Sequence, residues 1–205
     1  MATFGEIEDN IASLLNRTDL SSSIQLAIKT AIKHYEGEAF DFNEDTFTRT
    51  LSSGASVYTL TGSMSLITQF INVKVTVNGT DMELRPESYQ YLEKIDTDGS
   101  SGEPSIYSVF GNTIRVYPKP SGNYTLTARC NRKYSTLSAS TDSNAWTINA
   151  EDLIQARAMY WLSMTKKRDF QMAQQTKAIE SQAYDSLVNK STLKTSSGKI
   201  NPTRF

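Results

Sequence analysis

Residues Gly102 to Arg129, GEPSIYSVFGNTIRVYPKPSGNYTLTAR, constrain the fold more than any other stretch, because turn and strand signals alternate there in a fixed order. Gly102-Glu103-Pro104 opens an extended segment, since the residue before a proline is driven out of the α region. Tyr107 and Val109 share one strand face, Gly111-Asn112 supplies a tight hairpin turn, and Ile114-Arg115-Val116-Tyr117 alternates as the return strand. Pro118-Lys119-Pro120 stops that strand, because neither proline has an N–H to give a ladder. Ser121-Gly122-Asn123 then turns the chain into Tyr124-Thr125-Leu126-Thr127-Ala128-Arg129. An antiparallel β region is the expectation here, and none of it reads as a catalytic loop.

The same period of two begins near Thr46. Phe47, Arg49 and Leu51 alternate with threonines, Ser52-Ser53-Gly54 turns, and Val57-Tyr58-Thr59-Leu60 returns as a hairpin. A second hairpin runs from Ile71 to Val77, through Asn78-Gly79, to Met82-Glu83-Leu84, and Asn-Gly is among the strongest short hairpin signals. Pro86 to Ile95, with Tyr89, Leu92 and Ile95 three apart, predicts a short helix opened by proline.

Both ends of the chain are helical in pattern. Thr3 and Glu6 have capping-box spacing, and Phe4, Ile7, Ile11, Leu14 and Leu15 make one stripe. Asn16-Arg17-Thr18-Asp19 breaks this helix. One of Ser21, Ser22 or Ser23 caps the next, whose stripe is Ile24, Ala27, Ile28, Ala31, Ile32 and Tyr35, and Gly37 is placed to end it. After the Ser/Thr/Asn-rich stretch from Ser135 to Asn149, Asp152 starts a third helix with Leu153, Ile154, Ala158, Trp161 and Leu162 on a broad apolar face. Lys166-Lys167-Arg168-Asp169 interrupts it, and a fourth helix runs from about Phe170 to Val188 with Met172, Thr176, Ile179, Ala183 and Leu187 along one side.

The expected fold is α+β. Residues 1–39 form an N-terminal helical hairpin and 40–149 an antiparallel β-hairpin insertion with a short helix. Residues 150–190 add the C-terminal helices that complete a four-helix bundle. Residues 191–205 are polar and aperiodic, with three bases and no acid, and read as an extended C-terminal tail and a candidate interaction segment. The net charge of −1 argues against a general nucleic-acid binder. No basic n-region precedes an apolar run, and no stretch approaches the ~20 apolar residues that span a bilayer. The expectation is synthesis in the cytoplasm, which the chain leaves only as part of a particle, with no membrane partner.

Residues for catalysis are sparse. His34 is the single histidine and Cys130 the single cysteine, so neither a zinc set nor a nucleophile dyad is available from them. Acidic clusters occur at Glu6/Glu8/Asp9, Glu36/Glu38 and Glu44/Asp45, and solvated helix ends account for them more simply than a glycosidase pair. Asp98-Gly99-Ser100-Ser101-Gly102 is not a phosphate-cradling loop. Lys166-Lys167-Arg168 is a solvated turn, or else touches DNA phosphates or an acidic neighbour. Strand aromatics (Tyr58, Tyr107, Phe110, Tyr117, Tyr124) suit core and subunit contacts better than a single-strand stacking platform. The expectation is no catalytic, cofactor-binding or metal residue.

Taken end to end, the order of these pieces resembles the head-to-tail adaptor (connector) proteins of tailed phages. "TFGEIEDNIASLLNRTDLSSSIQLAIKTAIKHY" resembles the family's opening helical hairpin and "RTLSSGASVYTL" its first β-hairpin. The GEP…YPKP…YTL segment is the most specific piece, and "EDLIQARAMYWLSMTKKRD" resembles the C-terminal helix. The resemblance implies a structural virion protein and a homo-oligomeric ring, dodecameric, beneath the portal. A tail or nozzle protein would lie below, and phage DNA would pass through the lumen without sequence-specific binding. It also implies that the C-terminal tail reaches the portal, with Lys194, Lys199 and Arg204 meeting acidic residues and Ile200 and Phe205 anchoring in a groove. The alternatives are a baseplate or fibre-associated β-rich binding module and a peptidoglycan-degrading virion enzyme.

Overall fold

The computed structural model describes residues 2–97 and 99–195. In chain order the elements begin α1 (Phe4–Leu15), α2 (Ser21–Tyr35), β1 (Glu44–Leu51), β2 (Val57–Thr59), β3 (Ile67–Val77) and β4 (Thr80–Glu83). Then come β5 (Arg85–Pro86), α3 (Tyr89–Ile95), β6 (Ser101–Gly102), β7 (Ile106–Phe110), β8 (Thr113–Tyr117), β9 (Lys119–Pro120) and β10 (Tyr124–Arg132). Among the described residues, three helices follow: α4 (Ala145–Asn149), α5 (Glu151–Leu162) and α6 (Phe170–Thr195). The fold is α+β, and it divides into two compact units, Met1–Asn43 with Tyr134–Phe205, and Glu44–Lys133.

The helical unit is assembled from the two ends of the sequence. At the start of α1, Glu6 N–H donates to Thr3 Oγ1 (3.2 Å) and Thr3 N–H donates to Glu6 Oε2 (2.8 Å), the predicted reciprocal cap. Phe4, Ile7, Ile11 and Leu15 are buried, whereas Leu14, expected on the same stripe, is 57% exposed. Ile24, Ala27, Ile28, Ala31 and Tyr35 of α2 face the same core as Leu153, Ile154, Ala158 and Leu162 of α5 and Leu187 of α6. Phe40, Leu137 and Trp146 also belong to it, with Trp146 edge-on to Phe40 and Phe42. Each fully buried aliphatic side chain contributes ~1.5–3 kcal/mol, so a core drawn from both ends holds segments that neither end holds alone.

Several helix details differ from the sequence reading. The residue before α2 is Leu20, which makes no side-chain cap, and Ser21 instead donates to Glu8 of α1. The Ser135–Asn149 stretch contains α4, whose N-cap Asn144 accepts from the N–H of Trp146 (3.0 Å) and of Thr147 (3.3 Å). Helix α6 continues past Val188 to Thr195, so residues 191–195 are helical. Its inward residues are Ala173, Thr176, Glu180, Leu187 and Ser191, while Ile179 is 54% exposed. Gly5 allows α1 to lie close to the loop before α4: its N–H donates to Ser140 O (2.8 Å), and a Cβ there would sit 2.9 Å from Ser140 Cβ.

The strand unit contains two four-stranded sheets, ordered β1-β10-β3-β4 and β2-β8-β7-β5. Leu51, Val73, Val75, Val77, Leu126 and Ala128 from the first share a core with Tyr58, Tyr107, Ile114 and Val116 from the second. The Asn78-Gly79 hairpin forms as read, with φ of 50° and 82°, and so does the β7–β8 hairpin over Gly111-Asn112. The expected β1–β2 hairpin does not form. β1 pairs with β10 and β2 with β8, because the Ser52–Ser56 connection carries the chain from one sheet to the other, letting Leu51 and Tyr58 enter the shared core from opposite sides. Tyr58 Oη fixes that connection by donating to Ala55 O (2.7 Å) and Ser52 O (3.2 Å). Pro86 does not open a helix. It lies in β5, paired in parallel with β7, and Ser88 caps α3 instead. A second short parallel pair joins β6 and β9, so the pairing is not wholly antiparallel.

Candidate functional site

The two residues most able to carry chemistry are built into separate units. His34, late in α2, has its Nδ1 3.4 Å from Arg157 Nη2. Partial burial first, and then the Arg157 charge, hold its imidazole below the ordinary value. Cys130 is buried on β10, its thiol facing the carbonyl of Asp45 at 3.6 Å. Burial, and secondarily the Asp45 carboxylate, push the thiol up to about 11, so it stays protonated at neutral pH and is a poor nucleophile. Among the described residues no group of three or more His, Cys, Asp or Glu is placed to hold a metal ion.

The strongest charge cluster surrounds Glu180, whose side chain is 2% exposed. Tyr35 Oη donates to Glu180 Oε1 at 2.5 Å, and Lys177 Nζ and Arg157 Nη1 approach the same oxygen at 3.0 and 3.2 Å. Burial opposes ionisation of this carboxyl. The Tyr35 and Lys177 hydrogen bonds and the Arg157 charge outweigh it, and the group is held below its usual range. The cluster joins α2, α5 and α6 across one seam. Sequence reasoning missed it, taking Ile179 as the inward residue; the legible signal was the set of Tyr35, Arg157 and Lys177, each able to face one carboxylate.

A comparable node braces the strand unit. Asp96, at the end of α3, accepts from Arg115 Nη2 (2.7 Å) and Ser56 Oγ (3.3 Å), with Lys119 Nζ at 3.4 Å. Burial again works against the charge, but Arg115 and Lys119 prevail and the carboxyl is held below its ordinary value. The Arg115 guanidinium also lies over the Tyr89 ring, 5.5 Å from its centroid.

Several of the remaining sequence candidates are held by partners. Glu6 caps α1, Glu8 accepts from Gln25 (2.9 Å), and Asp45 pairs with Arg132 (2.6 Å). In the Lys166-Lys167-Arg168 run, Lys167 donates to Leu15 O (3.2 Å), placing a cation at the C-terminus of α1. Arg168 takes a left-handed conformation that ends the turn before α6. Of the proposed portal-binding residues, Lys194 falls on α6 with its side chain outside the described residues. Lys199, Ile200, Arg204 and Phe205 lie wholly outside them.

What these braces leave over are apolar surfaces. Phe110, beside the β7–β8 turn, is 66% exposed and touches only the Tyr89 ring among aromatic neighbours in the described residues. On the helical unit, Leu14 and Ile179 flank a groove of about 430 Å³ over Met159. Charged side chains thus form internal struts, while several apolar side chains lie on the outside. The family model for the SU10 adaptor protein matches residues 2–203, and the chain belongs to that family. The family is one of phage structural adaptors and implies a virion component at the head–tail junction. No match to a curated protein was found. No helix among the described residues is long and apolar enough to cross a membrane.

Proposed function

We propose that the chain is the repeating subunit of a head-to-tail adaptor ring, a dodecamer, that joins the portal above to a tail or nozzle protein below and continues the DNA channel. The observation that carries this reading is the family match over nearly the whole length, residues 2–203. In this reading α1, α2, α5 and α6 form the subunit's four-helix bundle, and the apolar side chains outside it meet neighbouring proteins. A net charge of −1 suits a channel through which DNA slides, since a strongly basic lumen would hold phosphates tightly and with steep salt dependence. Residues 196–205, with Lys194, dock on the portal: Ile200 and Phe205 provide apolar anchors, and the bases orient the segment. His34 and Cys130 have no catalytic part in it.

The deciding measurement is the native mass of the purified chain alone and mixed with its portal. A ring bound to the portal is expected. A chain that stays monomeric beside the portal, and that is recovered from particles with distal tail parts, overturns the reading in favour of a baseplate or fibre component. Deleting residues 196–205 is expected to weaken portal binding at least tenfold while leaving the far-UV spectrum unchanged. Unaltered portal affinity would remove the segment's role.

A further inference from the structure

The sheet β1-β10-β3-β4 ends in two strands that meet no further strand among the described residues. Its β1 edge is 8 residues long, pairs with β10 without a break from Glu44↔Asn131 to Leu51↔Tyr124, and carries neither a proline nor a bulge. Proteins ordinarily guard such an edge, because its outward row of N–H and C=O groups is a template for another strand. The charges on β1 leave it unguarded. Arg49 is drawn back over the Tyr58 ring, 5.4 Å from its centroid, and onto Thr59 O (2.5 Å), and Asp45 is held by Arg132 (2.6 Å). Thr46, Thr48 and Thr50 remain, exposed along one face of the strand.

The opposite edge of the same sheet is complementary to it. Each neighbouring pair is antiparallel, so β1 and β4 run in opposite directions, and a second copy set alongside continues the sheet with another antiparallel pair. Side-chain faces then fix the register. Phe47 of β1 and Met82 of β4 are both half-buried against the strand core, while Thr46, Thr48, Asp81 and Glu83 are exposed on the other face. Setting Phe47 opposite Met82 puts Thr48 opposite Asp81, Thr46 opposite Glu83 and Glu44 at the level of Arg85. Hydroxyls then meet carboxylates, and the charges at the end of the ladder are opposite in sign. A slip of one residue turns Phe47 away from the core. A slip of two sets Glu44 against Glu83 in one sense and Arg49 against Met82 in the other.

We propose that β1 of one subunit pairs antiparallel with β4 of a second copy in this register, so that the strand units of neighbouring subunits share one continuous sheet. Backbone hydrogen bonds supply the adhesion, and the side chains on either face select the register. The contact is heterologous. Each copy offers β1 on one side and β4 on the other, the kind of contact that closes into a ring when the rotation per copy permits. The inference rests on the ring reading for how many copies join, and not for which strands meet.

The test uses full-length chains, one carrying Thr48→Cys and another Asp81→Cys, both at exposed positions; the native Cys130 is buried and stays out of the reaction. Mixed and oxidised, alone and with portal, the two are expected to form a disulfide-linked pair, and a chain carrying both changes a ladder of linked multimers. Thr50→Cys mixed with Asp81→Cys, out of register by two residues, should link about tenfold more slowly, because a disulfide tolerates little extra separation. Absence of a link between Thr48→Cys and Asp81→Cys in both conditions overturns the inference, and so does an equally fast link from position 50. Thr48→Cys chains that link to one another as fast as the mixture also overturn it, since β1 then meets β1 of a two-fold mate. A second arm reads association by native mass in the same two conditions. Thr46→Asp sets an acid against Glu83 and should weaken association about tenfold, and adding Glu83→Lys should restore it. Unchanged thermal melting checks that both variants fold, and no weakening, or weakening without rescue, overturns the pairing. Ring and sheet are scored apart: portal-bound rings that never link at these positions keep the ring reading and remove the shared sheet, whereas linked chains that do not join portal do the reverse.

Discussion

Glu180 carries a charge into a seam that α6 otherwise fills with Ala173, Thr176 and Leu187. Three donors converge on Oε1, and removing their acceptor strands the Arg157 charge and the Tyr35 hydroxyl in a half-dry site. Glu180→Ala is therefore expected to destabilise the protein by about 3 kcal/mol, read from urea midpoints. Tyr35→Phe should cost about 1.5 kcal/mol, the scale of one hydrogen bond to a charged group. The direction of the Glu180 shift also fixes a pH dependence. Its folded value lies below the unfolded 4.5, so above pH 4.5 the carboxylate is ionised in both states and its contribution is complete. On acidification the unfolded chain takes up the proton first, and stability is lost as pH falls through the folded value. Wild type should lose urea resistance below pH 4.5 more steeply than Glu180→Gln; parallel profiles would show that the node contributes nothing to acid sensitivity.

Among the elements, those set by turn residues were legible and those set by partners were not. Asn78-Gly79 and Gly111-Asn112 announce their hairpins because few residues accept the backbone those turns need. Alternation at Phe47, Arg49 and Leu51 shows that one face of β1 is buried, but it says nothing of which strand lies alongside. The partner is β10, distant in sequence. Helix α4 is too short to display a period; its signal was the spacing of Asn144 and Thr147, a capping box inside a stretch otherwise read as loop. On α6, apolar periodicity placed Ile179 inside, whereas the Tyr35, Arg157 and Lys177 partners reverse its exposure with Glu180. The apolar groove was not legible at all, because it depends on how three helices from opposite ends of the chain meet. At this scale Asn144→Ala should lower stability by about 1 kcal/mol in chemical denaturation. Gly5→Ala should cost about 1–3 kcal/mol, since the new methyl meets Ser140 Cβ at 2.9 Å and Ser140 O at 3.0 Å, neither of them the far end of a flexible side chain.

For the molecule as a whole, the α+β class and the joining of the first and last helices around one core followed from apolar stripes with no partner nearby in sequence. Ile28 and Leu153 are both fully buried in that core, and replacing either by Ala should cost about 2–5 kcal/mol. The strand unit is continuous in sequence, and its ends are neighbours, with Glu44 opposite Asn131 in the ladder. Residues 44–133 made alone are expected to unfold cooperatively in urea with a dispersed amide NMR spectrum. A collapsed spectrum would mean that its core is insufficient by itself. The same arrangement dictates an order of events during translation. Ile28 leaves the ribosome 125 positions ahead of Leu153, a delay of roughly 6–25 s at ~5–20 residues per second. Through that interval the stripes of α1 and α2 have no core to enter, while the strand unit between them and their partners emerges whole and closes. The helices α5 and α6, made later, thus complete the core that α1 and α2 begin.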